Sequence, residues 1–252
     1  MYSHKSYSMY PVVILLGGKG SRFSELNKSP KQLVKLNRNN LIIAILNYYN
    51  SYNFNYFLLP LGYKKEFFYR FFKNRKNQIK FRLNILNKKK SNFNPKLINI
   101  ELFDTKKNAT KLERIKKSVN RFDSQTFFVT YGDGLANINF KNQLSLYKKK
   151  NKNMVTIYKI RSQYGHFVSN NSGLVKKFEE KPYFKTPINI GYYIFNKIDF
   201  NKYFKKGIEL EQNFIKKLIK SKLLISYNHG GFFFNIDNKK DLDKVKKDFK
   251  GI

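Results

Sequence analysis

An α/β fold, with a mostly parallel central sheet flanked by helices, follows from two features of these 252 residues. Strand-like and helix-like segments alternate along the first half, and the strand-like runs are unbroken apolar stretches, as strands buried on both faces read. The second half is richer in short strand-like runs, which adds a smaller β-rich part. Residues 12–16, VVILL, make the first strand, and residues 41–50 repeat apolar side chains at helical spacing. A second strand is expected over 54–60, a helix over 66–73 after Gly62, and a third strand over 97–103. Residues 110–120 put Leu112, Ile115 and Val119 on one helix face. Residues 126–131, TFFVTY, form a further strand that runs into Gly132, Asp133 and Gly134. Strands are then expected over 154–160, 174–178, 190–195, 223–227 and 232–236, and helices over 208–219 and 239–249. No Pro/Ser-rich spacer and no fixed-period repeat divides the chain, so residues 11–252 are expected to form one domain behind a short polar extension, residues 1–10.

That extension lacks the apolar centre of a signal peptide, and no run approaches the roughly 18 apolar residues that span a bilayer. No membrane partner is expected. The chain has no cysteine, which excludes disulfides, thiolate nucleophiles and cysteine-ligated zinc, and a cytoplasmic enzyme fits. A net charge of +35 would ordinarily point to a polyanion. Here Lys, Asn, Ile, Phe and Tyr are abundant together, as A/T-rich coding produces, and the lysines are dispersed rather than gathered on one arm. Nucleic acid is therefore not expected as a partner, although the charge should steer a triphosphate inward.

The first strand runs into a glycine-rich turn in VVILLGGKGSRFSELNKSPK, residues 12–31, with Arg22 and Lys31 close behind. Glycines beyond the carboxyl end of a buried strand let backbone N–H groups approach phosphates. The Walker order fails because Gly20 follows Lys19, and the dinucleotide order fails because Phe23 stands where its third glycine belongs. A tight turn with no ligand is the competing reading. Asp133 ends a buried strand between glycines, a place that suits Mg²⁺ or, alternatively, a carboxylate that caps its own turn. Asp237 follows the run 232–236 and could meet Asp133, or could N-cap the helix after it. Glu179, Glu180, Lys181 and Pro182 form a third cluster, readable as a sugar and phosphate contact or as a surface turn. His166 and His229 have no ligand-like spacing and read as structural or lining groups.

In this order the clusters resemble the sugar-1-phosphate nucleotidyltransferases, most closely their glucose-1-phosphate cytidylyltransferase branch. LLGGKGSR is similar to that family's LAGGLGTR, Ser29-Pro30-Lys31 to its PK element, TYGDGLANI to TYGDGVADI, and VKKFEEKP to V-x-x-F-x-E-K-P. INIGYYIFN, residues 188–196, is similar to its ING-G-F strand, NHGGFFFNID to H-P-G-F-W-x-x-x-D, and Leu210-Glu211-Gln212 to W-E-Q. GDG in place of GDN favours the cytidylyl over the thymidylyl branch. The departures are Lys111-Leu112-Glu113 for T-G-G before Arg114, Ile190 for a glycine, Asn39 for the lysine of G-K-P, and Phe233 for tryptophan.

The resemblance implies a Rossmann-like sheet of the nucleotide-diphospho-sugar transferase type with a small β-rich sugar-binding part. It implies that Leu16, Gly17, Gly18, Lys19, Gly20, Ser21 and Arg22 cradle a nucleoside triphosphate, with Lys31, Arg114 and Gly132 on the nucleotide side. It further implies that Glu180, Lys181, Asn189 and Gly191 bind a sugar 1-phosphate, and that Asp133 and Asp237 hold Mg²⁺. Arg22, Lys31 and Asp133 would carry the catalysis, an in-line attack that gives an NDP-sugar (CDP-glucose for this branch) and pyrophosphate. A homo-oligomer is compatible with the family. A catalytically weakened relative that binds nucleotide sugars or an anionic partner such as RNA is the alternative, motivated by the departure at Lys111 to Glu113 and by the high net charge.

Overall fold

The structure, a computed structural model, describes residues 10–18, 29–87 and 92–248. In chain order its strands are β1 (Val12–Leu15), β2 (Lys35–Leu36), β3 (Asn39–Asn40), β4 (Tyr56–Leu61), β5 (Leu83–Ile85), β6 (Ile98–Asp104) and β7 (Thr126–Tyr131). They continue as β8 (Gly134–Ala136), β9 (Asn153–Tyr158), β10 (His166–Ser169), β11 (Val175–Glu179), β12 (Ile188–Asn196), β13 (Leu224–His229) and β14 (Phe233–Asn235). Eight of them make one sheet in the order β13-β9-β12-β7-β1-β4-β6-β5. Strands β7, β1, β4, β6 and β5 are mutually parallel, β12 runs antiparallel between β7 and β9, and β13 is parallel to β9. The mostly parallel sheet is therefore present, with β12 as its reversed strand.

The apolar runs are unbroken because both sheet faces are covered. Val12 and Ile14 enter one core with Phe57, Phe128 and Ile194, under the helices Leu41–Ser51, Lys65–Lys73 and Phe140–Lys150. Val13 and Leu15 enter the other with Leu58, Phe127 and Phe195, under the helix Lys111–Val119 and under Phe200, Phe214 and Leu218. The period of two along each strand thus feeds two separate cores. No helix among the described residues is long and apolar enough to cross a membrane.

The structure adds elements the sequence reading left out. The helix Arg75–Phe81 buries no side chain, so it has no apolar stripe to announce it. The helix Phe140–Lys150 buries only Phe140, Gln143, Leu144 and Tyr147 of a lysine-rich segment. Residues 208–219, expected as one α-helix, open as a π-helical stretch, Leu210–Ile215, in which Phe214 N–H reaches back five residues to Glu209 at 3.2 Å. Strand β8 pairs antiparallel with β14, so the run at 232–236 joins a small separate ribbon rather than the main sheet.

Candidate active site

A cavity of about 630 Å³ opens beyond the carboxyl ends of β1, β4, β6 and β7, where ligands of parallel sheets collect. Its wall takes Leu16, Gly17 and Gly18 after β1, Tyr63 and Lys64 after β4, Lys107 to Lys111 after β6, and Asp133 after β7. Lys19, Gly20, Ser21 and Arg22 lie outside the described residues.

The close approach of these strand ends requires glycine at two points. Gly17 has φ +118°, and a Cβ there would lie 2.5 Å from Gly62 N. A Cβ on Gly132 would lie 2.5 Å from Leu16 Cδ2 and 3.1 Å from Leu15 O, so a side chain there would crowd the turn after β7 against the end of β1. Arg114 is expected on the nucleotide side; it does line the cavity, but its guanidinium is spent on the framework. It donates to Thr105 Oγ1 at 2.5 Å and to the carbonyls of Gly17, Lys106 and Lys107 at 3.3 to 3.4 Å. Burial lowers its pKa. Arg114 thus ties the loop after β1 to the loop after β6.

The two aspartates meet, and the β8–β14 ribbon brings them together. Asn235 pairs with Gly134, and the next amide, Ile236 N–H, donates to Asp133 O at 3.1 Å, which carries Asp237 to the start of the β7 turn. Lys31 Nζ lies between the carboxylates, 2.8 Å from Asp133 Oδ2 and 3.0 Å from Asp237 Oδ1. Burial alone would lower the lysine pKa, but the two carboxylates outweigh it and the pKa is raised above 10.5. Asp237 does not N-cap the helix Lys239–Asp248. Asn238 does so, with Asn238 Oδ1 accepting from Asp241 N–H at 2.9 Å and Asp241 Oδ2 accepting from Asn238 N–H at 3.1 Å.

A second cluster lies on the same wall. Lys111 Nζ and Tyr131 OH both bond Glu211 Oε1, and the ammonium stands 4.6 Å from the Tyr131 ring centroid. Tyr131 OH lies 3.2 Å from Tyr193 OH, which accepts from Asn189 Nδ2 at 2.5 Å. Burial raises the Tyr131 pKa and works to raise that of Glu211, but the bonds from Lys111 and Tyr131 hold Glu211 below its ordinary value. Gly191, at φ +78°, lies against the Tyr131 ring, where a Cβ would approach to 2.5 Å. Leu112 is buried in the core and Glu113 caps its own helix, so the departure from T-G-G is absorbed into the helix start.

Glu180 and Lys181 stand apart from the cavity wall. They follow β11 in the β10–β11 hairpin, exposed, with Lys181 Nζ 3.7 Å from Glu180 Oε1. His229 Nε2–H donates to Phe232 O at 2.9 Å, and His166 lies 3.0 Å from Ser162 Oγ, both as framework contacts. Wall residues that the sequence reading missed include Tyr63, Lys64 and Lys107 to Thr110, and it also missed Gly62 and Thr105 beside Arg114. The signal was available in β6, whose carboxyl end must face the same way as those of β1 and β7.

A cavity beyond parallel strand ends, lined by glycine backbone, lysines and Asp133, with Asp237 on the far side of Lys31, is the setting in which such sheets receive phosphorylated ligands. The nucleotidyl transferase family profile matches residues 11–244, and the chain belongs to that family, among the sugar-1-phosphate nucleotidyltransferases. It is 32% identical over 245 residues to the Bacillus subtilis protein named "Probable glucose-1-phosphate cytidylyltransferase", covering 93% of this chain and 94% of that one. It is 25% identical to a glucose-1-phosphate cytidylyltransferase of Salmonella typhimurium, covering 91% of each chain. Among solved structures, HddC of Yersinia pseudotuberculosis superposes with TM-score 0.69 at 20% identity, covering 96% of this chain and 100% of that chain. A UDP-glucose pyrophosphorylase from Acinetobacter baumanii gives 0.70 at 16% identity, covering 94% and 92%.

Proposed function

We propose that this chain is a glucose-1-phosphate cytidylyltransferase, joining CTP and glucose 1-phosphate to give CDP-glucose and pyrophosphate. The observation that carries the proposal is the convergence of Lys31, Asp133 and Asp237 at one cavity behind the Gly17–Gly18 turn. The base and sugar are supported by the names of the relatives at 32% and 25% identity. A guanylyl-transferring relative from Aneurinibacillus thermoaerophilus at 24% identity makes the base the point to test.

Two carboxylates that already gather a cation between them fit Mg²⁺, which keeps waters and substrate phosphates in its remaining positions. Asp133 and Asp237 would hold it. Bound there, the ion would neutralise charge on the triphosphate during in-line displacement. The reaction needs no protein nucleophile. A sugar phosphate oxygen attacks the α-phosphorus, and the chain must bring two repelling anions together and stabilise the departing pyrophosphate. Backbone N–H groups at Gly17 and Gly18 would receive the triphosphate, with Lys31 at the reacting phosphate. By the LLGGKGSR pattern, Lys19 to Ser21 continue the cradle and Arg22 serves the leaving group. Glu180, Lys181, Asn189 and Gly191 are proposed for the sugar phosphate, with the β10–β11 hairpin carrying the first two.

Pyrophosphate release measured with CTP, UTP, dTTP, ATP and GTP against several sugar 1-phosphates tests this reading. CTP with glucose 1-phosphate is expected to turn over fastest by kcat/KM. A higher kcat/KM with another base would reassign the specificity, and no turnover with any pair would overturn the enzymatic reading. Lys181→Ala is expected to raise KM for the sugar phosphate more than KM for CTP.

A further inference from the structure

We propose that Lys31 is the built-in counter-cation of the Asp133 and Asp237 carboxylates, keeping a divalent metal out of the free protein until a nucleoside triphosphate draws the lysine away. The inference rests on the reading of those aspartates as metal ligands. Its basis is which groups are fixed and which can move. Asp237 is held at both ends: its N–H donates to Asp241 Oδ2 at 2.9 Å, and its Oδ2 accepts from Asn235 Nδ2 at 2.6 Å. Asp133 is held by the ribbon through its carbonyl. The oxygen of Asp237 turned away from Asn235 is Oδ1, and that is the atom Lys31 occupies. Lys31 Nζ therefore covers the same face of the pair that an incoming cation must use.

Lys31 itself sits at the end of a flexible four-carbon stem, and it also lines the cavity. Its side chain is only 11% exposed, less than either carboxylate, so it is packed into the wall beside the two acids it bonds. A metal ion arriving alone meets a positive charge at contact distance from both of its ligands. A triphosphate arriving against Gly17, Gly18 and Ser29 offers the lysine a denser set of anionic oxygens within reach of the same stem. The lysine then changes partners, and the carboxylates are released for the metal that accompanies the nucleotide. The order of loading follows: nucleotide and metal together, rather than metal first.

The test is Mn²⁺ binding by electron paramagnetic resonance on the full chain, with and without an α,β-methylene analogue of CTP. The free wild-type protein is expected to bind Mn²⁺ weakly. Lys31→Met and Lys31→Gln should each bind at least about tenfold more tightly without nucleotide, whereas Lys31→Arg, which keeps the charge, should stay weak. The Gln variant retains hydrogen-bond donors to both carboxylates and guards against simple loss of folding. With the analogue, wild-type Mn²⁺ binding should appear and be lost in Asp133→Asn. If the analogue confers Asp133-dependent binding but neither neutral variant tightens it in the free protein, the counter-cation role is overturned and the metal reading stands. If no Asp133-dependent binding appears in any state, the metal reading fails and takes the proposal with it.

Discussion

Gly132 sets the distance between two strand ends by having no side chain, and Asp133 inherits its position from that contact. The carboxylate is thereby presented to Lys31 and to the cavity instead of folding back over its own turn. Asp133→Asn is expected to lower kcat by roughly two to three decades, the usual cost of losing one charged transition-state contact. Circular dichroism should stay native, and a near-normal rate would remove Asp133 from the chemistry. His229 makes a prediction of another kind. Burial pushes its pKa below 6.5, partly countered by the Phe232 carbonyl, so the folded protein holds the ring neutral while the unfolded chain protonates it. Its contribution is complete above pH 6.5 and is lost as the pH falls below that value. Urea midpoints should therefore decline on acidification from pH 7.5 to 5.5, and His229→Gln should flatten that decline.

At the level of elements, the helix Lys111–Val119 links the cavity to the core. Thr110 Oγ1 accepts from Glu113 N–H at 3.2 Å, and Glu113 Oε2 accepts from Thr110 N–H at 3.0 Å. This capping box starts the helix at the residue that carries Lys111 to Glu211. Thr110→Ala is expected to cost about 1 kcal/mol in urea unfolding, since one orphan N–H loses its partner. The strands were the legible part of this fold because each is buried on both faces and reads as an apolar run. Helices were legible only where they carry an apolar stripe: Leu112, Ile115 and Val119 announce one, while Arg75–Phe81 has nothing buried to announce. Within the site, Lys31, Asp133 and the Gly17–Gly18 turn could be read from local pattern. The bond between Lys111 and Glu211 could not, because 100 residues separate them and no local periodicity encodes it. Of the two readings open for Asp237, the structure takes the meeting with Asp133 and gives the cap of the last helix to Asn238. Asp237 and Asn238 are equally good caps by type, and only the ribbon decides which one is turned toward Lys31.

Over the whole molecule, the excess of 35 positive charges is spread along the chain, and three of its 16 carboxylates neutralise lysines of the cavity wall. Asp133 and Asp237 hold Lys31, and Glu211 holds Lys111. The lysine-rich exterior therefore leaves a field that favours anionic ligands arriving at the cavity. We expect kcat/KM for the triphosphate to fall steeply as ionic strength rises from about 0.01 to 0.15 M, because the Debye length shrinks from roughly 30 to 8 Å. Stopped-flow binding across that salt range checks this, and an association rate indifferent to salt would count against steering. The β10–β11 hairpin is exposed, and Glu180 and Lys181, which follow its second strand, are not part of the wall that holds Asp133.

The β8–β14 ribbon also has a consequence for biosynthesis. Asp133 is translated about a hundred residues before Asp237, and the ribbon is what sets the late segment against the turn that holds Asp133. A nascent chain can pair the parallel strands β1, β4, β5, β6 and β7 early, yet its first core still lacks Ile236, Leu242 and Val245, and it has no paired carboxylates until residue 237 has emerged. A fragment that stops before residue 237 accordingly has the strand-end turn that carries Asp133 without the second carboxylate that shares Lys31.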